Sequence, residues 1–215
     1  MVLFLNNEEK YLKGAKKMNL PNKITTFRMI LVVFVATFLL LPSEWFMTIP
    51  YIDVSLNFFI AWILFIIASL SDMLDGKIAR KYNMVTDYGK FMDPIADKLL
   101  VNTTLIILAS YGPIRVNVIC VIIMIARDIV VDAVRLNAMR KNVVVAANIF
   151  GKLKTVFQMV AIILIMVNDF NLDSLLHLND NYYLGQLFMY VATLTSLISG
   201  IIYVIQNRNV FSEMK

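Results

Sequence analysis

The chain has 215 residues, 60% of them hydrophobic, with a mean hydropathy of +0.73 and a net charge of +5. Soluble domains carry roughly 45–50% apolar residues, so this composition excludes an ordinary soluble globule and points to an integral membrane protein. The single cysteine, Cys120, excludes an internal disulfide framework and stands as a small packed hydrophobe.

Taken in chain order, residues 1–17 mix Lys10, Lys13, Lys16 and Lys17 with Leu3, Leu5, Tyr11 and Leu12. No secretory-signal pattern is present. An amphipathic N-terminal interfacial helix over 1–22 and a frayed terminus are both open readings. The rest, 23–215, reads as one membrane domain. A spanning helix needs about 20 mostly apolar residues, and six runs qualify: 24–41, 56–72, 90–111, 114–135, 149–168 and 183–206. The second is predicted to continue through Lys81 as one long helix that carries its charges out of the hydrocarbon. The expected architecture is therefore an all-α integral membrane protein with six transmembrane helices.

Charge sets the orientation. With the N-terminus in the cytoplasm, the 1–23, 73–90 and 136–154 segments and the tail hold most of the 20 Lys and Arg. The opposite loops hold Arg115 against Glu44, Asp53, Asp169, Asp173 and Asp180. This is the positive-inside asymmetry of membrane proteins. It accounts for the basic balance without nucleic acid and places both termini in the cytoplasm. His177 lies in an acidic outer connection with no second histidine to form a metal site with it.

The chemistry concentrates where the second and third runs meet. Asp72 and Asp75 lie roughly 60° apart on one helix, and Asp93 and Asp97 roughly 40° apart on the next. A short connection, 82–88, returns the chain so that the two pairs can face each other. One ionised Asp at a bilayer centre costs about 2.5–3.5 kcal/mol, so four converging carboxylates require positive charge between them. A salt-bridged plug with Lys77, Arg80, Lys81, Lys90 and Lys98 is one solution. The favoured solution is a site for two hard divalent cations, Mg²⁺ or Mn²⁺, of the kind that clamps a phosphoryl group. Gly76 inside a helix and Ala79 strip side chains from the neighbouring surface, which suits a bulky ligand or close helix packing equally. Arg80 adds a fork-shaped phosphate donor.

These residues carry a resemblance. Asp72, Asp75, Gly76, Ala79, Arg80, Gly89, Asp93 and Asp97 reproduce every fixed position of D-x2-D-G-x2-A-R-x8-G-x3-D-x3-D, the signature of the CDP-alcohol phosphotransferase (CDP-alcohol phosphatidyltransferase) family. The resemblance implies a six-helix homodimeric membrane enzyme that transfers a phosphatidyl group from a CDP-linked lipid to an alcohol and releases CMP. It implies Asp72, Asp75, Asp93 and Asp97 as metal ligands, Asp97 also as the base, and Gly76, Ala79, Arg80 and Gly89 in the cytidine diphosphate pocket. A cation transporter, the rival from another class, would place its carboxylates at mid-membrane on broken helices.

Two further stretches resemble the phosphatidylglycerophosphate synthase branch of that family. "NLPNKITTFRMIL" would bring Asn22, Thr25 and Arg28 to the nucleotide. The 126–161 segment, with R-[DE]-x6-R and G-K-x-K-T-x-x-Q, would bind sn-glycerol 3-phosphate beside CDP-diacylglycerol. That acceptor brings a dianionic phosphate, for which Arg127, Arg135, Lys152 and Lys154 form the candidate pocket. Flanking charge is the alternative for Lys152 and Lys154, and an ion pair with Asp128 is equally open for Arg127. Asp128 stands where many relatives carry Glu, and Asp132 adds a negative charge beside the pocket. Inositol phosphate, serine and phosphatidylglycerol are the alternative acceptors within the family. Without a transit-peptide pattern, the expected location is a bacterial cell membrane with the site facing the cytoplasm.

Overall fold

The computed structural model describes residues 20–81, 87–140, 148–171 and 183–207; the side chains of 20–21, 72–81, 87–88, 90, 139–140 and 171 fall outside that description. Six α-helices run through the described residues: α1 (Leu20–Leu40), α2 (Leu56–Lys81), α3 (Asp87–Tyr111), α4 (Val118–Arg140), α5 (Ile149–Met166) and α6 (Leu184–Gln206). They match the six apolar runs, and α2 continues through Lys81 as expected. The interfacial segment expected over 1–22 lies outside the described residues up to 19, and α1 already covers Leu20 to Asn22. α4 begins four residues later than its run, because Asn117 Oδ1 accepts from the Ile119 amide at 2.9 Å and starts the helix there. An antiparallel hairpin, β1 (Thr48–Ile49) with β2 (Val54–Ser55), is the one departure from all-α structure among the described residues. It forms because Asp53 takes a left-handed φ of 49° and reverses the chain between α1 and α2.

α1 packs along α2 and α3, while α6 packs along α5 and α4. Fully buried Ala61, Ala68, Ala161 and Ala192 let the backbones approach, and Phe65, Leu105, Leu108, Met124, Ile162 and Ile165 fill between them. The outward faces stay apolar, with Val33, Ile122, Val156, Leu194 and Ile201 exposed. An apolar exterior around a packed interior suits lipid rather than water as solvent. Residues 22–40, 149–166 and 184–206 are each long and apolar enough to cross a membrane. In α2 the apolar stretch is shorter, Leu56–Ser71. α3 and α4 are diluted by charge, because they carry Asp93, Asp97 and Lys98, and Arg127, Asp128, Asp132 and Arg135.

Short connections make successive helices reverse, so the starts of α1, α3 and α5 and the ends of α2, α4 and α6 share one end of the bundle. The charged residues of the candidate site lie towards that end, with Arg127 and Asp128 deeper, near the middle of α4. At the opposite end, the Asn57 amide donates to the Phe38 and Leu41 carbonyls at 3.1 and 3.0 Å and closes α1. Asp169, fully buried, accepts from the Gly185 amide with both carboxylate oxygens at 3.0 and 3.1 Å and caps α6 from a distant turn. A Cβ on Gly185 would lie 2.7 Å from both Asp169 Oδ1 and Ile165 Cγ1. Gly185→Ala is therefore expected to cost about 1–3 kcal/mol, read as a lowered thermal midpoint in detergent; an unchanged midpoint would show that the cap adjusts freely.

Candidate active site

The first two turns of α1 present one buried face to α3, made of Asn22, Thr25 and Arg28 at steps of three. Thr25 Oγ1 donates to Asp93 Oδ1 at 2.6 Å, which ties the start of α1 to the carboxylate pair of α3. The interaction crosses 68 residues of sequence, and it turns a residue expected near the nucleotide into a direct support for Asp93. Gly89 is buried one turn before Asp93. Pro94 follows within the helix and removes the amide that would bond the Lys90 carbonyl. Asp72, Asp75, Gly76, Ala79 and Arg80 lie on the last turns of α2, which contacts α3, but their side chains are outside the described residues.

A cavity of about 260 Å³ opens between α3, α4, α5 and α6. Asp97 lines it together with all four residues of the expected acceptor pocket, Arg127, Arg135, Lys152 and Lys154. These come from sequence positions up to 57 apart, and folding gathers them around one carboxylate. Lys98, Asp128 and Asp132 complete the charged lining, giving five basic against three acidic side chains.

Pairing divides the basic residues into two groups. Lys154 Nζ reaches both oxygens of Asp128, at 2.7 and 3.0 Å, and Arg127 Nη1 reaches Asp128 Oδ1 at 2.9 Å. Arg127 Nη2 also donates to Ser199 Oγ at 2.5 Å. The ion pair left open for Arg127 is thus present, and it forms a buried triad with one excess positive charge. Lys98 pairs with Asp132 across α3 and α4, so the negative charge of Asp132 is answered within the lining. Arg135 and Lys152 are exposed and pair with no carboxylate among the described residues. Their charge is available to an incoming anion. Gly200 lets the Arg127 stem lie flat on α6, since a Cβ there would sit 2.9 Å from Arg127 Cγ.

Gln158 entered the sequence reading only as the last fixed position of G-K-x-K-T-x-x-Q, and Asn148, Ser199 and Tyr203 were not singled out; all four line the cavity. A signal existed in α6. Thr193, Ser196, Ser199 and Tyr203 form a buried polar stripe at helical spacing within an otherwise apolar segment.

The donor set suits hard divalent cations. Asp93 and Asp97 stand one helical turn apart with oxygen ligands, and the Thr25 hydroxyl fixes one Asp93 oxygen, as metal-ligating carboxylates require.

A membrane helical bundle with a carboxylate pair on α3 beside a basic cavity suits an enzyme of phosphoryl-group transfer. The chain belongs to the CDP-alcohol phosphatidyltransferase family, which it matches over residues 18–198. Among its relatives, the CDP-diacylglycerol–glycerol-3-phosphate 3-phosphatidyltransferase of Mycoplasma genitalium is 35% identical over 212 residues, covering 94% of this chain and 88% of that one. Enzymes of the same name from Bacillus subtilis and Mycoplasma pneumoniae are 36% and 37% identical, over 88% and 86% of this chain and 95% and 85% of theirs. The protein is an enzyme of this class, and the transporter alternative is set aside.

Proposed function

We propose that this enzyme transfers the phosphatidyl group of CDP-diacylglycerol to sn-glycerol 3-phosphate, yielding phosphatidylglycerophosphate and CMP. The observation that carries the reading is the joining of Asp97 to Arg127, Arg135, Lys152 and Lys154 in one cavity. A phosphorylated alcohol needs a base for its hydroxyl and cations for its phosphate within one molecular length, and this lining supplies both. The relatives' names support the same acceptor.

In this mechanism Asp72, Asp75, Asp93 and Asp97 would hold two divalent cations, Mg²⁺ or Mn²⁺. When bound, these would neutralise charge developing on the diphosphate oxygens. Arg135 and Lys152 attract the acceptor phosphate, while the Arg127–Asp128–Lys154 triad holds the pocket wall with its excess positive charge. Asp97 takes the proton of the acceptor's primary hydroxyl. The freed oxygen bonds to the lipid-side phosphorus, the bond from that phosphorus to the bridging oxygen breaks, and CMP leaves with the electron pair. Asn22, Arg28, Gly76, Ala79, Arg80 and Gly89 would hold the cytidine diphosphate.

The proposed topology has six crossings with both termini in the cytoplasm, in a homodimer of a bacterial cell membrane, with the site on the cytoplasmic side. The basic connections on that side support this orientation.

The deciding experiment measures CMP release by the purified protein with CDP-diacylglycerol and Mg²⁺, comparing sn-glycerol 3-phosphate with inositol phosphate, serine and no acceptor. Release with glycerol 3-phosphate alone is expected. Release with another alcohol in its place would overturn the acceptor assignment. A second expectation concerns Thr25. Thr25→Ala should raise the Mg²⁺ concentration for half-maximal activity about tenfold, as loss of a carboxylate's hydrogen-bond partner does at metal sites, and Thr25→Ser should restore it. Direct Mn²⁺ binding by electron paramagnetic resonance checks the same shift without turnover.

A further inference from the structure

Seven buried side-chain polar atoms among the described residues have no hydrogen-bond partner in the protein. Four of them, Arg127 Nε, Asn148 Nδ2, Gln158 Nε2 and Tyr203 Oη, belong to residues lining the cavity that holds Asp97. All four are groups that donate. Buried donors are nearly always satisfied, because their lost hydration must be replaced. Their gathering in one cavity points to a ligand rich in acceptor oxygens.

Two of the four have structural work as well. Arg127 holds Asp128 and Ser199, and Asn148 Oδ1 accepts from the Phe150 amide at 3.1 Å to start α5. Gln158 and Tyr203 differ. They are 2% and 3% exposed, and no hydrogen bond within the fold uses the Gln158 Nε2 or Tyr203 Oη groups. The Tyr203 ring packs with Val131 and Val134 of α4, which fixes the hydroxyl's direction. Gln158 lies one helical turn beyond the buried Lys154 on α5, on the same face.

We propose that Gln158 and Tyr203 recognise the acceptor, donating from Nε2 and Oη to oxygens of the phosphorylated alcohol. The proposal rests on the acceptor reading given above. Arg135 and Lys152 attract an anion over a distance but impose little geometry, because both are exposed long side chains. Two rigid, buried, neutral donors supply the geometry that tells one phosphorylated alcohol from another. The nucleotide is a less suitable partner, since the residues expected to bind it lie on α1, α2 and the start of α3, whereas Gln158 and Tyr203 come from α5 and α6.

The test uses Tyr203→Phe and Gln158→Met in the full-length protein, each of which removes a donor and keeps most of the volume. Each variant is expected to raise KM for sn-glycerol 3-phosphate about tenfold and to leave KM for CDP-diacylglycerol unchanged. The thermal midpoint without ligand should hold or rise, because no hydrogen bond within the fold is lost. The stabilisation of the wild type by glycerol 3-phosphate alone should shrink in both variants. An unchanged KM for the acceptor, or an equal rise in both KM values with a lowered midpoint, would overturn the proposal in favour of a packing role. Wild-type turnover with a different phosphorylated alcohol would overturn the glycerol 3-phosphate reading alone, and the same variants would then be read against that alcohol. A wild type that uses no phosphorylated acceptor would overturn both.

Discussion

Asp97→Asn is expected to lower CMP release by about a thousandfold or more, in line with the 10²- to 10⁴-fold contribution of a positioned general base and the added loss of a metal ligand. The substitution is nearly isosteric, and Asp97 lies partly exposed at the cavity wall, so the helix should remain intact. CDP-diacylglycerol binding, followed by protection against thermal unfolding, should be largely kept. This pairing of results separates a chemical role from a structural one. A variant that keeps activity within tenfold of wild type would remove Asp97 from the reaction and leave the cavity without its base.

The second large effect is expected at Asp128. Lys154 and Arg127 both direct their charge at its carboxylate, and all three side chains are at most 14% exposed. Two buried cations facing a neutral amide would lose their compensation. Removing one partner of a buried ion pair costs about 3–5 kcal/mol, so Asp128→Asn should lower the unfolding midpoint sharply and weaken acceptor use. Adding Lys154→Met to it removes one of the two uncompensated charges and should recover part of the stability while leaving activity low. If the single variant unfolds at the wild-type temperature, water or lipid headgroups reach the triad and it is not a buried pair in the membrane.

Much of this was legible from the chain alone. The six apolar runs became six helices because burial of backbone polar groups in lipid leaves a helix as the economical solution for a run of that length. Asp93 and Asp97 share a face because helical spacing makes them neighbours. The eight-residue signature named the family because its residues sit at fixed separations within two adjacent helices. What answers the negative charge of Asp132 could not be read at that level. Its partner, Lys98, lies 34 residues away on another helix, and no pattern in either segment announces the pairing. Asp169 reads as one more acid in an outer loop, yet it is fully buried and caps α6 through Gly185.

What the sequence by itself determined was the membrane class, the six helices of the described residues and the aspartate motif, all of which depend on composition and on contacts within a helix or between neighbours in the chain. Tertiary structure alone decided that Thr25 supports Asp93, that Lys154 reaches Asp128, and that Gln158 and Tyr203 face the same cavity as Asp97. These contacts join different helices. Their geometry depends on how the helices pack and rotate against one another, and no local periodicity encodes that.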